Sequence, residues 1–195
     1  MNFKWFRVLA VAGIFSAGVS TAQQSVAAAN AVLLREMPHL AGQIHLSLAQ
    51  INYAGKTDGF RITGSRGDIH VQAATIPTLL FGVNWYLKYV AHLNVSTNGS
   101  QVGSPGLLLP ALEGPIERPA PYPFRYALNE NTDGYTTPYW DFSRWQHEID
   151  ILALSGFNAV LIQRGNDLAV YQAFRDIGYT DAAIRNWITQ PAHQN

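Results

Sequence analysis

RYALNENTDGYTTPYWDFSRWQHEIDILALSGFNAVLIQRG, residues 125–165, contains a short strand, a polar loop, an amphipathic helix and an apolar strand in that order. The second strand, predicted over residues 157–162, is mostly apolar, as is typical of a parallel strand covered on both faces. Asp141 or Ser143 can cap the helix predicted over residues 141–155, and Gly156 follows its end. This order predicts a parallel βαβ unit.

Two further short helices are predicted after this unit, over residues 167–177 and 181–188. The pattern that results is strand, helix, strand, helix. It is the repeat of a (β/α) barrel or of an open doubly wound sheet, and both folds remain possible from the pattern alone. The chain ends at residue 195, so we expect only the first units of such a domain, beginning at Phe124 and spanning residues 124–195.

The preceding part of the sequence predicts a small α+β domain over residues 30–112, formed by an antiparallel sheet with a helix packed across it. Residues 43–51 alternate apolar and polar side chains, as in a half-buried strand. Residues 60–63 and 68–72 repeat the alternation around a Gly64–Gly67 turn and predict a hairpin. The predicted helices cover residues 23–40, ended by Pro38, and residues 75–93.

A segment rich in proline and glycine, residues 103–123, follows this domain. Such a composition is typical of a domain boundary or of an extended crossover. We therefore predict a linker here.

The N-terminus resembles a signal peptide. Lys4 and Arg7 precede an apolar run over residues 8–19, and Ser20–Ala22 supply small residues for cleavage. The run is too short to span a bilayer comfortably. We expect residues 1–22 to be removed, which leaves a periplasmic or secreted chain that begins near Gln23 and has no membrane span. An uncleaved anchor is the alternative.

The composition excludes several classes of function. Thirteen basic residues balance thirteen acidic ones, so the chain lacks the positive surface that nucleic-acid binding needs. It has no cysteine, which excludes disulfides and thiolate zinc sites. Apolar residues make up 48% of the chain and charged residues 13%, which favours a packed core.

Polar side chains cluster where the two predicted parallel strands end. In βα architectures this edge carries the working residues. Asparagine, tyrosine and threonine both donate and accept hydrogen bonds, and so suit a neutral, hydroxyl-rich ligand. The alternative is that these residues only form turns. The predicted ligand-binding residues are Asn129, Asn131 and Tyr135 after the first strand and Gly165 and Asn166 after the second.

Other residues are weaker candidates for a functional site. Tyr139, Trp140 or Trp145 could form a wall of a sugar site, although Trp145 is better placed to pack in the core. Glu148 and Asp150 are expected on a solvated helix face or in an ion pair. Each histidine occurs singly in the sequence, and we expect no metal, no cofactor and no catalytic residue within this chain.

Residues 125–165 resemble the α-N-acetylglucosaminidases of glycoside hydrolase family 89. The family pattern is RY, N, T and YT, followed by WD-x-x-RW-x-x-EID-x-x-AL-x-G-x-N. The upstream GFRITGSRGDIHVQAAT segment is similar to the small N-terminal domain of the family. The matching residues are Arg125, Tyr126, Asn129, Thr132, Tyr135, Thr136, Trp140, Asp141, Arg144, Trp145, Glu148, Ile149, Asp150, Ala153, Leu154, Gly156 and Asn158.

The resemblance implies a TIM-type barrel that removes terminal α-linked N-acetylglucosamine from glycans with retention of configuration. Retention needs two carboxyl groups about 5–5.5 Å apart. In the family these are glutamates of later strands, beyond residue 195. Asn129 and Tyr135 match motif positions near the sugar, and Gly165-Asn166-Asp167 stands where relatives commonly have Gly-Gln-Glu.

Three hypotheses follow. The first is the N-terminal part of an exported α-N-acetylglucosaminidase, which alone is poorly stable and inactive because a barrel needs about 250 residues. Its partners would be a glycan with terminal N-acetylglucosamine and the remainder of the barrel. The second is a non-catalytic periplasmic glycan-binding module. The third is a truncated reading frame without a function of its own.

Overall fold

The computed structural model describes residues 17–51, 58–129, 137–161 and 166–188. Among these residues, the side chains of 17–25, Pro138 and Asn166 lie outside the description. The helices are α1 (Ala17–Glu36), α2 (Pro38–Ala41), α3 (Ile76–Tyr89), α4 (Phe142–Leu154), α5 (Asn166–Asp176) and α6 (Asp181–Ile188). The strands are β1 (Ile44–Leu48), β2 (Gly59–Ser65), β3 (Asp68–Ala73), β4 (Ile116–Pro119), β5 (Tyr126–Ala127) and β6 (Ala159–Val160).

The first four strands form one sheet in the order β1-β3-β2-β4. The predicted hairpin is present as antiparallel β2 and β3. The prediction of a wholly antiparallel sheet is wrong, because β1 pairs with β3 in parallel, with Ile44 opposite Ile69 and Leu46 opposite Val71. This register places apolar residues of both strands on one face. Alternation in β1 predicted that face but held no information on its partner or direction.

The predicted linker contains a strand. Ile116–Pro119 form β4, which pairs antiparallel with β2, with Ile62 opposite Ile116. Prolines flank this segment and one ends the strand, as is typical of edge strands, where an N–H need not join the ladder. The linker is therefore partly a structural member of the N-terminal sheet.

One apolar core joins the sheet to four helices, and α2 contributes Leu40 to it. α3 lies across the inner face with Leu79, Val83 and Tyr86 fully buried against Phe60 and Val71. α1 adds Ala29, Val32 and Leu33, and α4 adds Ile151 and Leu154 to the same cluster. The helix that follows β5, α4, thus packs directly on the N-terminal domain, although the two are separated by the linker in sequence.

The helix bounds differ from the predicted ones in α1 and in α3, which ends at Tyr89 and not at residue 93. α1 ends at Glu36, and Pro38 begins the short helix α2 because proline at a first helical position loses no hydrogen bond. The helices α4, α5 and α6 lie within one residue of their predicted bounds. Among the described residues no helix combines the length and apolar character that a bilayer crossing requires.

The second sheet is smaller than predicted. β5 and β6 pair in parallel, as expected, but each has two residues. Most of these side chains are also less buried than a doubly covered strand requires. Ala127 is buried, but Ala159 and Val160, with Leu161 after β6, are half-buried, and Tyr126 is exposed.

Candidate site at the edge of the parallel strands

The carboxyl ends of β5 and β6 lie side by side. Tyr126 is opposite Ala159 and Ala127 opposite Val160. The Leu161 N–H also donates to the Ala127 carbonyl over 3.2 Å. Because the strands are parallel, the chain leaves both at the same edge. The two polar loops of the predicted site therefore start next to one another.

The backbone turns sharply after β5. Leu128 has φ +64°, a left-handed conformation that is strained for a bulky residue without a short polar side chain. This turn directs the following residue, Asn129, which is exposed at the strand edge. Strain held at a strand end is typical of functional loops.

Of the other predicted binding residues, the structure describes only the backbone of Asn166. Asn131, Tyr135 and Gly165 lie outside the described residues. Asn166 is the first residue of α5, although its side chain is not described. The convergence of these residues with Asn129 remains a prediction.

Arg125 fixes the start of β5. Its guanidinium donates to the Gly156 carbonyl at 2.5 Å, to the Tyr122 carbonyl at 2.7 Å and to the Thr78 hydroxyl at 2.8 Å. Thr78 in turn donates to Asp58 at 2.6 Å. The arginine therefore ties β5 to α3 and to the turn that follows α4. Sequence reasoning matched Arg125 to the family pattern but did not find this role.

Two more motif residues complete this anchor. The Asn158 carboxamide accepts from the Arg125 N–H at 2.8 Å and donates to the Pro123 carbonyl at 2.7 Å. Gly156 has φ +90°, and a Cβ there would lie 2.9 Å from the Phe81 ring of α3. Only glycine fits both the conformation and the close contact. The motif thus holds the amino-terminal ends of β5 and β6 in place.

The start of α4 carries an aromatic and charged cluster. The Asp141 carboxylate accepts from the Arg144 N–H at 2.8 Å, which confirms it as the N-cap. The half-buried Trp145 ring meets Trp140 edge-on at 5.0 Å, outside the helix–sheet core expected for it. The Arg144 guanidinium lies 4.8 Å above Trp140, whereas Tyr139 is exposed.

The acidic residues of α4 are buried and form ion pairs. An ion pair was one of the two environments expected for them. Asp150 accepts two hydrogen bonds from Arg35 of α1, at 2.6 and 2.8 Å. This carboxylate raises the pKa of the Arg35 guanidinium. Glu148 accepts from Arg144 at 3.0 Å. The solvated helix face is wrong, because α4 presents this side to α1 and not to water.

The expectation that histidines are isolated is also wrong. His45 and His70 are opposite one another on β1 and β3, and their rings stack 4.9 Å apart. Spacing along the sequence could not predict this pair, because the parallel pairing of β1 with β3 was not predicted.

Sequence profiles of one family match the chain in two consecutive parts. The alpha-N-acetylglucosaminidase (NAGLU) N-terminal domain matches residues 27–111, and its tim-barrel domain matches residues 125–195. The chain belongs to the alpha-N-acetylglucosaminidase family. Human alpha-N-acetylglucosaminidase is 32% identical over 129 residues, which cover 66% of this chain and 17% of the human protein.

Solved structures of this family share the fold. A family 89 glycoside hydrolase from Clostridium perfringens superposes with a TM-score of 0.79 at 22% identity, over 87% of this chain and 19% of that protein. Its structures include a complex with PUGNAc and a doubly Glu→Gln substituted form with its substrate GlcNAc-α-1,4-galactose. The chain spans less than a fifth of the length of these relatives.

Proposed function

We propose that this chain is the N-terminal part of a retaining glycoside hydrolase that removes terminal α-linked N-acetylglucosamine from glycans. The observation that carries the proposal is the match of both family domains in the family order, 27–111 and then 125–195. The catalytic glutamate pair would lie beyond residue 195. In this chain Asn129, Asn131, Tyr135, Gly165 and Asn166 would contact the sugar.

The geometry of β5 and β6 supports this assignment. A TIM-type barrel binds its substrate with the loops at the carboxyl ends of its strands. Here the Arg125, Gly156 and Asn158 anchor joins the amino-terminal ends of β5 and β6 and so keeps the two strands, and the loops that leave their carboxyl ends, side by side. Amide and hydroxyl side chains at that edge suit the hydroxyl and acetamido groups of N-acetylglucosamine.

Further barrel units are the proposed partner of this segment. Phe124 is 82% exposed and Phe142 is 80% exposed, so a large apolar area lies open around β5 and the start of α4. Exposed apolar area of this extent is typical of a surface that another element covers. The remainder of the barrel, packed beside β5 and β6, is the proposed cover.

Export is proposed on the basis of the signal-like N-terminus. Cleavage near Gln23 would fall within α1. The residues that α1 adds to the core, Ala29, Val32 and Leu33, all follow that point. The cleaved chain would therefore keep its described core contacts. Mass spectrometry of the protein recovered from the periplasm or medium should give an N-terminus near Gln23, and an intact Met1 would contradict the proposal.

The activity is tested with a longer protein in which the proposed further barrel units follow this chain. We expect hydrolysis of an aryl α-N-acetylglucosaminide, no hydrolysis of the β-anomer, and α-N-acetylglucosamine as the first product detected by NMR. Release of β-N-acetylglucosamine first would contradict retention. Binding of the sugar without hydrolysis would replace the enzyme by the glycan-binding module.

A further inference from the structure

We propose that His45, His70 and Asp68 form a binding site for one divalent transition-metal ion, such as Zn²⁺, on the outer face of the N-terminal sheet. This face is opposite the one that packs on α3. The site is separate from the edge of β5 and β6, so it does not depend on the proposed glycosidase activity.

The strand register brings the three side chains together. His45 of β1 is directly opposite His70 of β3. Asp68 is two residues before His70, so it points to the same face. The neighbours Ile44, Ile69 and Val71 alternate with them and are buried.

The ligand atoms already converge. The Nε2 atoms of His45 and His70 lie 2.9 and 3.2 Å from the same Asp68 oxygen, Oδ1. Each of the three residues offers one ligand atom, and no two of these three atoms are more than 4.8 Å apart. Zn–N bonds of about 2.0–2.1 Å place two ligands of a tetrahedral ion about 3.3 Å apart. Two ligand atoms would therefore have to move closer together by at most about 1.5 Å, and rotation of the half-exposed side chains allows this movement.

The chemistry of these ligands selects the metal. Two imidazoles and one carboxylate suit Zn²⁺, Ni²⁺ or Cu²⁺, whereas Mg²⁺ and Ca²⁺ prefer oxygen ligands alone. Each neutral imidazole would carry its proton on Nδ1 and offer Nε2 to the ion, and Asp68 would supply one negative charge. Water would fill the remaining positions because the three side chains are about half exposed.

A bound ion would join β1 to β3. β1 is an edge strand, paired on one side with β3. An ion held by both strands would stabilise the native pairing, because a ligand that binds only the folded state shifts the unfolding equilibrium. The site is therefore proposed as a structural or accessory metal site.

The test is a titration of the tag-free chain with Zn²⁺ by calorimetry, repeated with Co²⁺ by visible absorption. We expect one ion per chain. Loss of a residue that only supports a metal ligand weakens metal binding by up to about 100-fold. Loss of a ligand itself should weaken it at least as much, so His45→Gln and His70→Gln should each weaken Zn²⁺ binding at least about 100-fold. The control is His92→Gln, which changes an exposed histidine outside the cluster and should leave the affinity unchanged.

Two results would overturn the proposal: no Zn²⁺ binding by the folded wild-type chain, or unchanged binding after both histidines of the cluster are replaced. Circular dichroism checks that the variants fold. Independently of any variant, Ni²⁺ should broaden the NMR signals of the His45 and His70 rings before those of His92. Broadening of all rings together would show nonspecific binding and reject the site.

Discussion

Arg125 illustrates at the residue scale how the family motif acts on structure. Its side chain donates to two main-chain carbonyls, to one hydroxyl and, at 3.5 Å, to the Asp58 carboxylate, and only 11% of it is exposed. A lysine has one charged nitrogen in place of a planar fork and cannot keep all of these directions. The residue therefore supports the proposed site by positioning β5.

Arg125→Lys should destabilise the protein by about 2–3 kcal/mol, because hydrogen bonds to a charged donor contribute about 1.5–3 kcal/mol each and lysine retains part of them. Urea unfolding followed by circular dichroism measures the change. Arg66→Lys, in the exposed turn between β2 and β3, is the matched control and should be neutral within about 0.5 kcal/mol. Equal effects of the two substitutions would refute the anchoring role.

Gly156 and Gly178 provide a matched pair of substitutions. Both have similar positive φ values, +90° and +97°, but a Cβ at Gly156 meets Phe81 whereas one at Gly178 meets open space. Gly178→Ala should lower the free energy of unfolding by about 1–2 kcal/mol, because alanine is strained in this backbone conformation. Gly156→Ala should cost about 1–3 kcal/mol more, because of overpacking.

The difference between the two alanine variants isolates the contact between α3 and the turn after α4. It should shrink when Phe81→Leu is combined with Gly156→Ala, since the smaller side chain relieves the clash. An undiminished difference in the double variant would exclude Phe81 as its cause.

At the element scale, the pairing of α1 with α4 through Arg35 and Asp150 joins the N-terminal domain to the helix of the βαβ unit. Asp150→Asn leaves one side of the guanidinium without its carboxylate and should destabilise the protein by about 1–3 kcal/mol. A double-substitution cycle with Arg35→Gln measures the coupling energy. A coupling near zero would show that the apolar residues Ile151 and Leu154 hold α4 alone.

The hairpin of α5 and α6 carries an exposed charge cluster around Asp181. Its carboxylate accepts from the Tyr171 hydroxyl and from Arg185, and these interactions lower the pKa of Asp181. A lowered carboxyl pKa contributes stability above the unfolded-state pKa of about 3.9, and this contribution is lost as the pH falls through the folded-state value.

Tyr171→Phe removes the largest of these interactions, so the pKa of Asp181 should rise towards its ordinary value. Carboxyl ¹³C NMR titration measures it directly, and Asp176→Asn, at the end of α5, serves as a control. An unchanged pKa in Tyr171→Phe would show that Arg185 alone perturbs the carboxylate.

Periodicity predicted the elements better than their arrangement. The hairpin, α3 and α4 could be predicted because alternation and helical spacing are local. The parallel pairing of β1 with β3 could not, since no local signal specifies a distant partner. Strand β4 was missed because its proline-rich sequence also fits a linker. The His45–His70 pair and the Arg125 network were missed because both follow from those long-range arrangements.

At the scale of the whole molecule, α1, α3 and α4 share one core, so the N-terminal domain and the first βα unit are not independent. The loops of the proposed sugar site emerge from this shared support. Asn129→Ala, in the longer protein, should lower kcat/KM about three- to tenfold if one hydrogen bond to the sugar is lost. Asn98→Ala, at an exposed loop of the N-terminal domain, is the control and should leave kcat/KM unchanged.

The incomplete burial of apolar residues around β5 and α4 also bears on whether the chain is active alone. The apolar residues exposed around β5 and α4 are proposed to be covered by later barrel units, which would also carry the two catalytic glutamates. The most direct test is hydrolysis of an aryl α-N-acetylglucosaminide by the 195-residue chain and by a longer protein in which the proposed barrel units follow it, under identical conditions. The account predicts turnover by the longer protein and none by the chain alone. Turnover by the chain alone, or none by the longer protein, would contradict it.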